Sequence, residues 1–120
     1  PQAINLRLGE SAKYIEKHLP NPRRLKYNYY YWYYACLALH QQQGPIWERW
    51  NARMRPVFLK AQVKRPGQVS LHGSWDPIGE WGSGAGRCII TGMATLSLEV
   101  YYRYLPMYTP ARAQDANKGK

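Results

Sequence analysis

The sequence predicts an all-α fold built around one hydrophobic core. Apolar side chains recur at steps of three and four residues along much of the chain, which is the period of a helix face. The stretches that carry them are longer than the roughly 4 to 8 residues of an ordinary strand, and proline or glycine bounds them. With 120 residues the chain holds a single domain, which excludes an enzyme with separate cofactor and substrate domains.

The composition is that of a basic, aromatic-rich globular protein. Hydrophobic residues make up 45% of the chain and aromatic residues 14%, so tyrosine and tryptophan must supply much of the core. The formal charge of +10 attracts polyanions such as nucleic acid, anionic lipid or acidic polysaccharide. Apolar runs are too short for a membrane-spanning helix in this chain. Two cysteines without a spacing signature leave the cellular compartment open.

The first helix is expected between Leu8 and Leu19. Ser11 is a candidate N-cap, and Tyr14 and Ile15 fall with Leu19 on one helical face. Prolines at positions 20 and 22 end this helix, so the basic residues 23–26 form a connector.

Two further helices follow, one apolar on nearly every side and one amphipathic. Residues 29–43, YYYWYYACLALHQQQ, contain no glycine or proline and precede Gly44, so we expect a helix that is buried on most sides. Residues 45–63 start with a proline and place large apolar side chains on one face and charged ones on the other. Pro56 lies inside this pattern and is expected to kink the helix or split it in two.

A long glycine-rich loop, residues 64–87, separates these helices from the last one. Trp75 and Trp81 are the expected anchors, each burying a large ring against the helices. The glycines at 82, 84 and 86 follow no strand, so they indicate a hinge or a close-packed segment rather than a dinucleotide site.

The last helix is predicted over residues 88–105, buried, with small residues that allow close approach to a neighbouring helix. Residues 109–120 lack apolar periodicity and predict a flexible basic tail. The sequence therefore predicts one domain over residues 8–108.

The order of these elements is that of a helical-hairpin repeat. Within it, FLKAQ ends the amphipathic helix, and GSW follows after a loop. This pattern resembles the repeat of squalene cyclases and protein prenyltransferases, although the loop is longer than usual there. In that repeat a Gln at the end of an outer helix bonds near the start of the next inner helix, and a Trp stacks over it. The matching positions here are Phe58, Gln62, Gly73 and Trp75.

The chain is also similar, over about residues 11–108, to a repeat domain of large, mostly uncharacterised proteins of planctomycete-type bacteria. The strings that carry this resemblance are YYYWYYACLALHQQQGPIWERWNARMR, GSWDP and TLSLEVYYRYLPMY, and Pro56 departs from it. The resemblance implies helical-hairpin repeats forming part of an α/α toroid. Because a full ring needs more chain than this, the fragment would be an arc with neighbouring repeats in a longer parent.

Catalytic chemistry finds little support in the sequence. Cyclases of this kind protonate their substrate with an acid at the start of an inner helix, and the equivalent residues 86–91 contain none. Prenyltransferases hold zinc through Asp, Cys and His, for which Cys36 and His40, four residues apart, are weak candidates. A buried cysteine and a helix-terminal histidine are the commoner interpretation, so we expect no metal, no cofactor and no catalytic residue.

Binding is the better-supported function. The first hypothesis is a non-catalytic module that presents aromatic side chains to a protein, a peptide or an apolar ligand. The aromatic candidates for a ligand or interface surface are Tyr29, Tyr30, Trp32, Tyr33, Tyr101 and Tyr104. The second is polyanion or nucleic-acid binding, and the third is a degenerate cyclase-like or prenyltransferase-like enzyme. The basic candidates for the second are Arg23, Arg24, Lys26, Arg49 and Arg53.

Self-association is a further expectation. An arc of a toroid leaves at its ends the apolar faces that neighbouring repeats would cover. In the isolated chain a second copy is the simplest cover, so the sequence predicts a homo-oligomer, most simply a two-fold dimer.

Overall fold

Four helices make up the part of the chain that the structure, a computed structural model, describes. That part is residues 2–21 and 27–103, with residues 2–6, 101 and 103 described by their backbone alone. The helices are α1 (Gln2–Lys17), α2 (Tyr29–Gln42), α3 (Pro45–Ala61) and α4 (Gly82–Arg103). Over these residues the fold is all-α as predicted, and the β pairing is limited to a single antiparallel bridge between Gln62 and Trp75.

Helix α1 is longer than the sequence pattern predicts. It begins at Gln2 rather than at Ser11, because no proline interrupts residues 2–10 and a single internal glycine costs only about 1 kcal/mol. Its Ala12 is buried, and Ile15 packs against the core from the same face. Helix α1 ends at Lys17, three residues before Pro20, as the prolines predict.

Helix α2 occupies the bounds that its uninterrupted apolar run predicts. Asn28 caps its N-terminus, because the Asn28 Oδ1 accepts a hydrogen bond from the Tyr31 amide at 2.9 Å. At the other end the Gln43 amide donates to the Leu39 carbonyl oxygen, and Gly44 turns the chain with a φ of 91°. The helix is buried or partly buried on most sides, as predicted, and Tyr30 and Tyr34 lie on its exposed face.

Helix α3 runs through Pro56 as one helix. The prediction that this proline could split the helix in two is therefore wrong. A proline removes one helical hydrogen bond and frees the carbonyl oxygen of the residue four positions earlier, Ala52. Both residues are exposed, so water can solvate that carbonyl. The buried face of α3 carries Trp50, Met54 and Phe58.

The loop between α3 and α4 is shorter than predicted, and a short helical segment precedes the last helix. Residues 82–85 are helical, Gly86 interrupts them with a φ of 78°, and the helix resumes at Arg87. A positive φ is costly for every residue except glycine, so Gly86 sets the break. The prediction of a hinge or close-packed segment at residues 82–86 agrees with this geometry.

The core lies where α2 packs along α4 and against α3, while α1 lies against α3. Its most deeply buried side chains are Cys36, Leu39, Trp50, Met54, Phe58, Ile90, Ser97 and Val100. The buried Ser97 hydroxyl donates to the Met93 carbonyl oxygen at 2.7 Å, so its polarity is satisfied within α4. None of the described helices combines the length and the hydropathy that crossing a bilayer requires.

Candidate functional site

The four residues of the predicted repeat motif lie together at the base of the α3–α4 loop. The Gln62 side-chain amide donates to the Gly73 carbonyl oxygen at 2.9 Å. The Trp75 indole Nε1 donates to the Phe58 carbonyl oxygen at 2.9 Å, one turn before the end of α3. Trp75 is only 3% exposed, so it is the anchor that the sequence predicts.

The same segment is also fixed to α4. The Trp75 amide donates to the Thr91 hydroxyl at 3.1 Å. The Arg87 guanidinium donates to the Ser74 hydroxyl at 2.8 Å and pairs with the Asp76 carboxylate at 2.5 Å. Residues 74–76 therefore connect the end of α3 to the start of the long part of α4.

An aromatic surface covers the outer side of α2. Tyr30 is 47% exposed and Tyr34 51% exposed, and their ring centroids lie 4.8 Å apart. The Tyr33 ring contacts the Tyr34 ring edge-on, with centroids 5.2 Å apart. The Trp81 ring contacts Tyr30, with centroids 6.1 Å apart. We call these four residues the aromatic face.

Trp81 belongs to this face because it does not act as the buried anchor that the sequence predicts. It is 59% exposed, and its ring contacts the Tyr30 ring of α2. It lies on the turn just before Gly82, where α4 starts, and its side chain is exposed although Gly82 itself is buried. One of the two predicted anchors, Trp75, is therefore a core residue, and the other is a surface residue.

The remaining aromatic candidates divide between the core and undescribed positions. Tyr29 and Trp32 are buried, and both rings contact Phe58, at 5.5 and 5.4 Å. Burial raises the pKa of the Tyr29 hydroxyl, so this side chain stays neutral and packs as an apolar group. These two residues cannot belong to an exposed aromatic surface. The side chain of Tyr101 and all of Tyr104 lie outside the described residues.

The proposed zinc candidates occupy an apolar environment. The Cys36 thiol lies 2.9 Å from the Met54 sulfur and accepts a hydrogen bond from the Trp50 indole at 3.1 Å. Burial raises the pKa of this thiol to about 12, so it is protonated at neutral pH. His40 is buried against the Trp47 ring at 5.0 Å, and burial lowers its pKa. Among the described residues, no three His, Cys, Asp or Glu side chains form a metal-binding group.

The basic candidates that the structure describes lie on α3 near the C-terminal end of α1. Arg49 forms an ion pair with Glu16, and Arg53 lies one turn further along α3. Both arginines line a groove of about 510 Å³. The other three candidates, Arg23, Arg24 and Lys26, lie outside the described residues.

This groove, which we call the cationic groove, lies between the C-terminal end of α1 and α3. Lys17, Arg49 and Arg53 carry its positive charges, and Glu16 carries its negative charge. The full lining is Glu16, Lys17, His18, Leu19, Asn21, Arg49, Ala52 and Arg53. Lys17 and Arg53 form no ion pair within residues 2–21 and 27–103.

A second cavity, of about 320 Å³, lies on the other side of the same segment, and we call it the aromatic cavity. Its lining is Tyr14, His18, Leu19, Asn21, Asn28, Tyr31, Trp32 and Glu80. His18 stacks on Tyr14 with centroids 4.1 Å apart, and its Nδ1 donates to the Tyr14 carbonyl oxygen at 2.8 Å. The Asn28 amide lies 3.4 Å from the Glu80 carboxylate, a long hydrogen bond.

The Tyr31 hydroxyl is the unusual polar group in this cavity. Its oxygen is buried, and it has no hydrogen-bond partner among the described residues. Burial raises the pKa of Tyr31 to about 12, so the group is a neutral donor and acceptor. Buried hydroxyls are normally satisfied, so this one has an unused hydrogen bond to offer.

Sequence patterns did not reveal the aromatic cavity. Its lining comes from α1, from the segment after α1, from α2 and from the turn before α4, and no local spacing joins these segments. For the cationic groove, the basic residues of α3 were the one signal in the sequence. They pointed to Arg49 and Arg53 but not to Lys17 or His18, which also line the groove.

Comparison with models of known protein families, with curated proteins and with solved structures gives no significant match for this chain.

Proposed function

We propose that this chain is a non-catalytic binding module, an arc of an α/α toroid whose aromatic face packs against another helical repeat. The observation that carries the proposal is the aromatic face itself. Tyr30, Tyr34 and Trp81 are each about half exposed, and their rings contact one another in a row. Contiguous apolar surface of this kind marks interaction sites more often than idle surface.

The toroid part of the proposal is supported by the contacts of the repeat motif. Gln62 and Trp75 both bond across the α3–α4 loop, and the loop in turn bonds to Thr91 on α4. A repeat protein needs such a connection, because the end of one helix must be held against the start of the next.

Tyrosine and tryptophan suit a protein interface on physical grounds. Each ring buries a large apolar area, while its hydroxyl or indole NH can bond to the partner or to water. The pKa of Tyr34 is raised, chiefly by Tyr30, so the Tyr34 hydroxyl stays neutral at physiological pH. A partner therefore meets an uncharged surface on a protein whose net charge is +10.

The partner that fits best is a helical repeat of the same kind, since it offers an equally aromatic surface. In a longer chain this would be the neighbouring repeat, and in the isolated chain it is a second copy. Sedimentation velocity over a wide range of protein concentrations tests this directly. We expect the purified chain to shift from monomer to dimer as concentration rises.

The decisive variant replaces Tyr30, Tyr34 and Trp81 by serine, with circular dichroism to show that it folds. Its matched control replaces Leu59 and Val69 by serine, since both are exposed apolar residues outside the aromatic face. We expect the first variant to remain a monomer and the second to dimerise like the parent. A parent chain that stays monomeric at every concentration and binds no hydrophobic dye would contradict the proposal.

A further inference from the structure

The cationic groove and the aromatic cavity meet at the C-terminal end of α1. Three residues, His18, Leu19 and Asn21, line both. The two spaces therefore adjoin along this segment, and we call the pair the α1 cleft. At about 510 and 320 Å³, each part is of the size that small-molecule sites have in proteins.

The two halves of the α1 cleft differ in chemistry. The groove offers the cationic side chains of Lys17, Arg49 and Arg53, of which Arg49 is paired with Glu16. Lysine and arginine side chains together are the usual ligands of a phosphate group. The groove half is therefore suited to a compact anion.

The cavity half offers flat apolar walls and a few polar groups. Tyr14, Tyr31 and Trp32 supply the walls, and Asn28 and Glu80 supply an amide and a carboxylate. The long Asn28–Glu80 contact can give way to better hydrogen bonds with a ligand. The Tyr31 hydroxyl is buried beside the cavity and lacks a partner within the described residues, so it adds a further polar contact once the ring turns toward a ligand. Aromatic walls with amide, carboxylate and hydroxyl groups recognise a ring that carries hydroxyl or amino substituents.

We propose that the α1 cleft binds a phosphate monoester of a polar ring, with the phosphate in the cationic groove and the ring in the aromatic cavity. A nucleoside monophosphate and a sugar phosphate share this chemistry. Glu80 accepts a hydrogen bond from an amino or hydroxyl group of the ring, and the Tyr31 hydroxyl bonds to another ring substituent. This site is separate from the aromatic face and does not depend on its function.

Isothermal titration calorimetry on the full chain tests the proposal with two esters and their parts. The esters are adenosine 5′-monophosphate and glucose 6-phosphate, and the parts are adenosine, glucose and inorganic phosphate. We expect at least one ester to bind with one-to-one stoichiometry and clearly more tightly than either of its parts. Which ester binds more tightly identifies the source of the ring.

Two conservative variants locate the site. Arg53→Gln should weaken binding of the ester about tenfold or more, because it removes a hydrogen bond between charged groups. Tyr31→Phe should weaken it roughly threefold to tenfold by removing one neutral hydrogen bond. Arg55→Gln and Tyr34→Phe are the matched controls, since both residues are exposed and line neither part of the cleft.

Four results would overturn the proposal. Inorganic phosphate binding as tightly as both esters would show that the ring contributes nothing. Adenosine or glucose binding as tightly as its ester would show that the phosphate group contributes nothing to binding. Absence of saturable binding for every ligand, or equal losses in the variants and their controls, would show that the α1 cleft is not a binding site.

Discussion

The indole of Trp75 donates a hydrogen bond to the carbonyl oxygen of Phe58 at 2.9 Å, seventeen residues earlier in the chain. The same oxygen also accepts from the Gln62 amide at 3.1 Å, so the indole adds a second hydrogen bond at the C-terminal end of α3. The same tryptophan fills the core beside α4 and is the only residue of its loop that is fully enclosed among those described. Trp75 therefore supports both the end of α3 and the course of the loop.

Replacing Trp75 by alanine should lower the free energy of unfolding by roughly 3 kcal/mol or more, because a large buried ring and its hydrogen bond to α3 are lost together. Urea denaturation measures the change. Trp81→Ala is the matched control, and its loss should be well below 1 kcal/mol because that ring is mostly exposed. Equal losses for the two variants would mean that the burial of Trp75 does not stabilise the loop.

At Gly79 the backbone leaves no room for a side chain. Its φ is 90°, and a Cβ atom there would lie 1.7 Å from the Tyr27 carbonyl oxygen. Gly79→Ala should therefore cost about 2 kcal/mol or more and lower the melting temperature. Gly84→Ala provides the control, since a Cβ at Gly84 meets no atom within 4 Å. Similar melting temperatures for both variants would contradict the close approach of Gly79 to Tyr27.

Tyr31→Phe should stabilise the ligand-free protein. The hydroxyl oxygen is buried and lacks a partner among the described residues, so its removal relieves a desolvation penalty of about 1 kcal/mol. Thermal denaturation by calorimetry gives the change. Tyr34→Phe, on the exposed side of the same helix, should change stability by less than about 0.5 kcal/mol. A clear loss of stability in Tyr31→Phe would show that the hydroxyl is satisfied in solution.

The two cysteines should differ sharply in reactivity. Cys88 is exposed, whereas Cys36 is enclosed by Trp50 and Met54. Titration of the native protein with a thiol reagent should therefore label one cysteine quickly, and labelling of the other should require denaturant. The variant Cys88→Ser should lose the fast reaction and keep the slow one. Fast labelling of both cysteines in the native protein would show that the core around Cys36 is open.

The raised pKa of Cys36 also predicts alkaline instability. Its thiol ionises at about pH 9 when unfolded but only near pH 12 when folded. Between these values the unfolded state loses the proton and the folded state keeps it, so stability falls as pH rises above 9 and is unaffected below it. The limiting slope is about 1.4 kcal/mol per pH unit. Denaturation at several pH values between about 9 and 10, below the ordinary pKa of tyrosine, should show that Cys36→Ala loses this slope, whereas a slope unchanged in that variant would assign it to other groups.

Much of the helical framework could be predicted from the sequence, because local patterns determine it. The uninterrupted run at 29–43 and the proline and glycine residues around it gave α2 almost to the residue. Trp75 could be predicted as an anchor because it follows the end of an amphipathic helix in a recognisable pattern. The same reasoning failed for Trp81, since a tryptophan next to glycine residues carries no local signal for the direction of its side chain.

The α1 cleft could not be predicted for a different reason. Tyr14, Tyr31 and Glu80 come from distant segments, and only the packing of the helices brings them to one cavity. That Tyr31 has a buried, unpartnered hydroxyl depends on its neighbours in three dimensions rather than on the aromatic run in which it lies. Helix periodicity reports which side of a helix is buried, but it does not report gaps between helices.

The closed base of the α3–α4 loop has a consequence for how this chain can change. Val63 donates its amide to the Ser74 carbonyl oxygen at 2.8 Å and accepts from the Gly73 amide at 2.8 Å, so the two ends of the intervening stretch are bonded to each other. Residues 64–70 beyond this point are all exposed, with Val69 at 89%. Lengthening a loop whose ends are already joined costs little closure entropy. Insertions, affinity tags or whole guest domains should therefore be accepted at Gly67 without disturbing the helices. We expect homologues to differ in loop length at the same position.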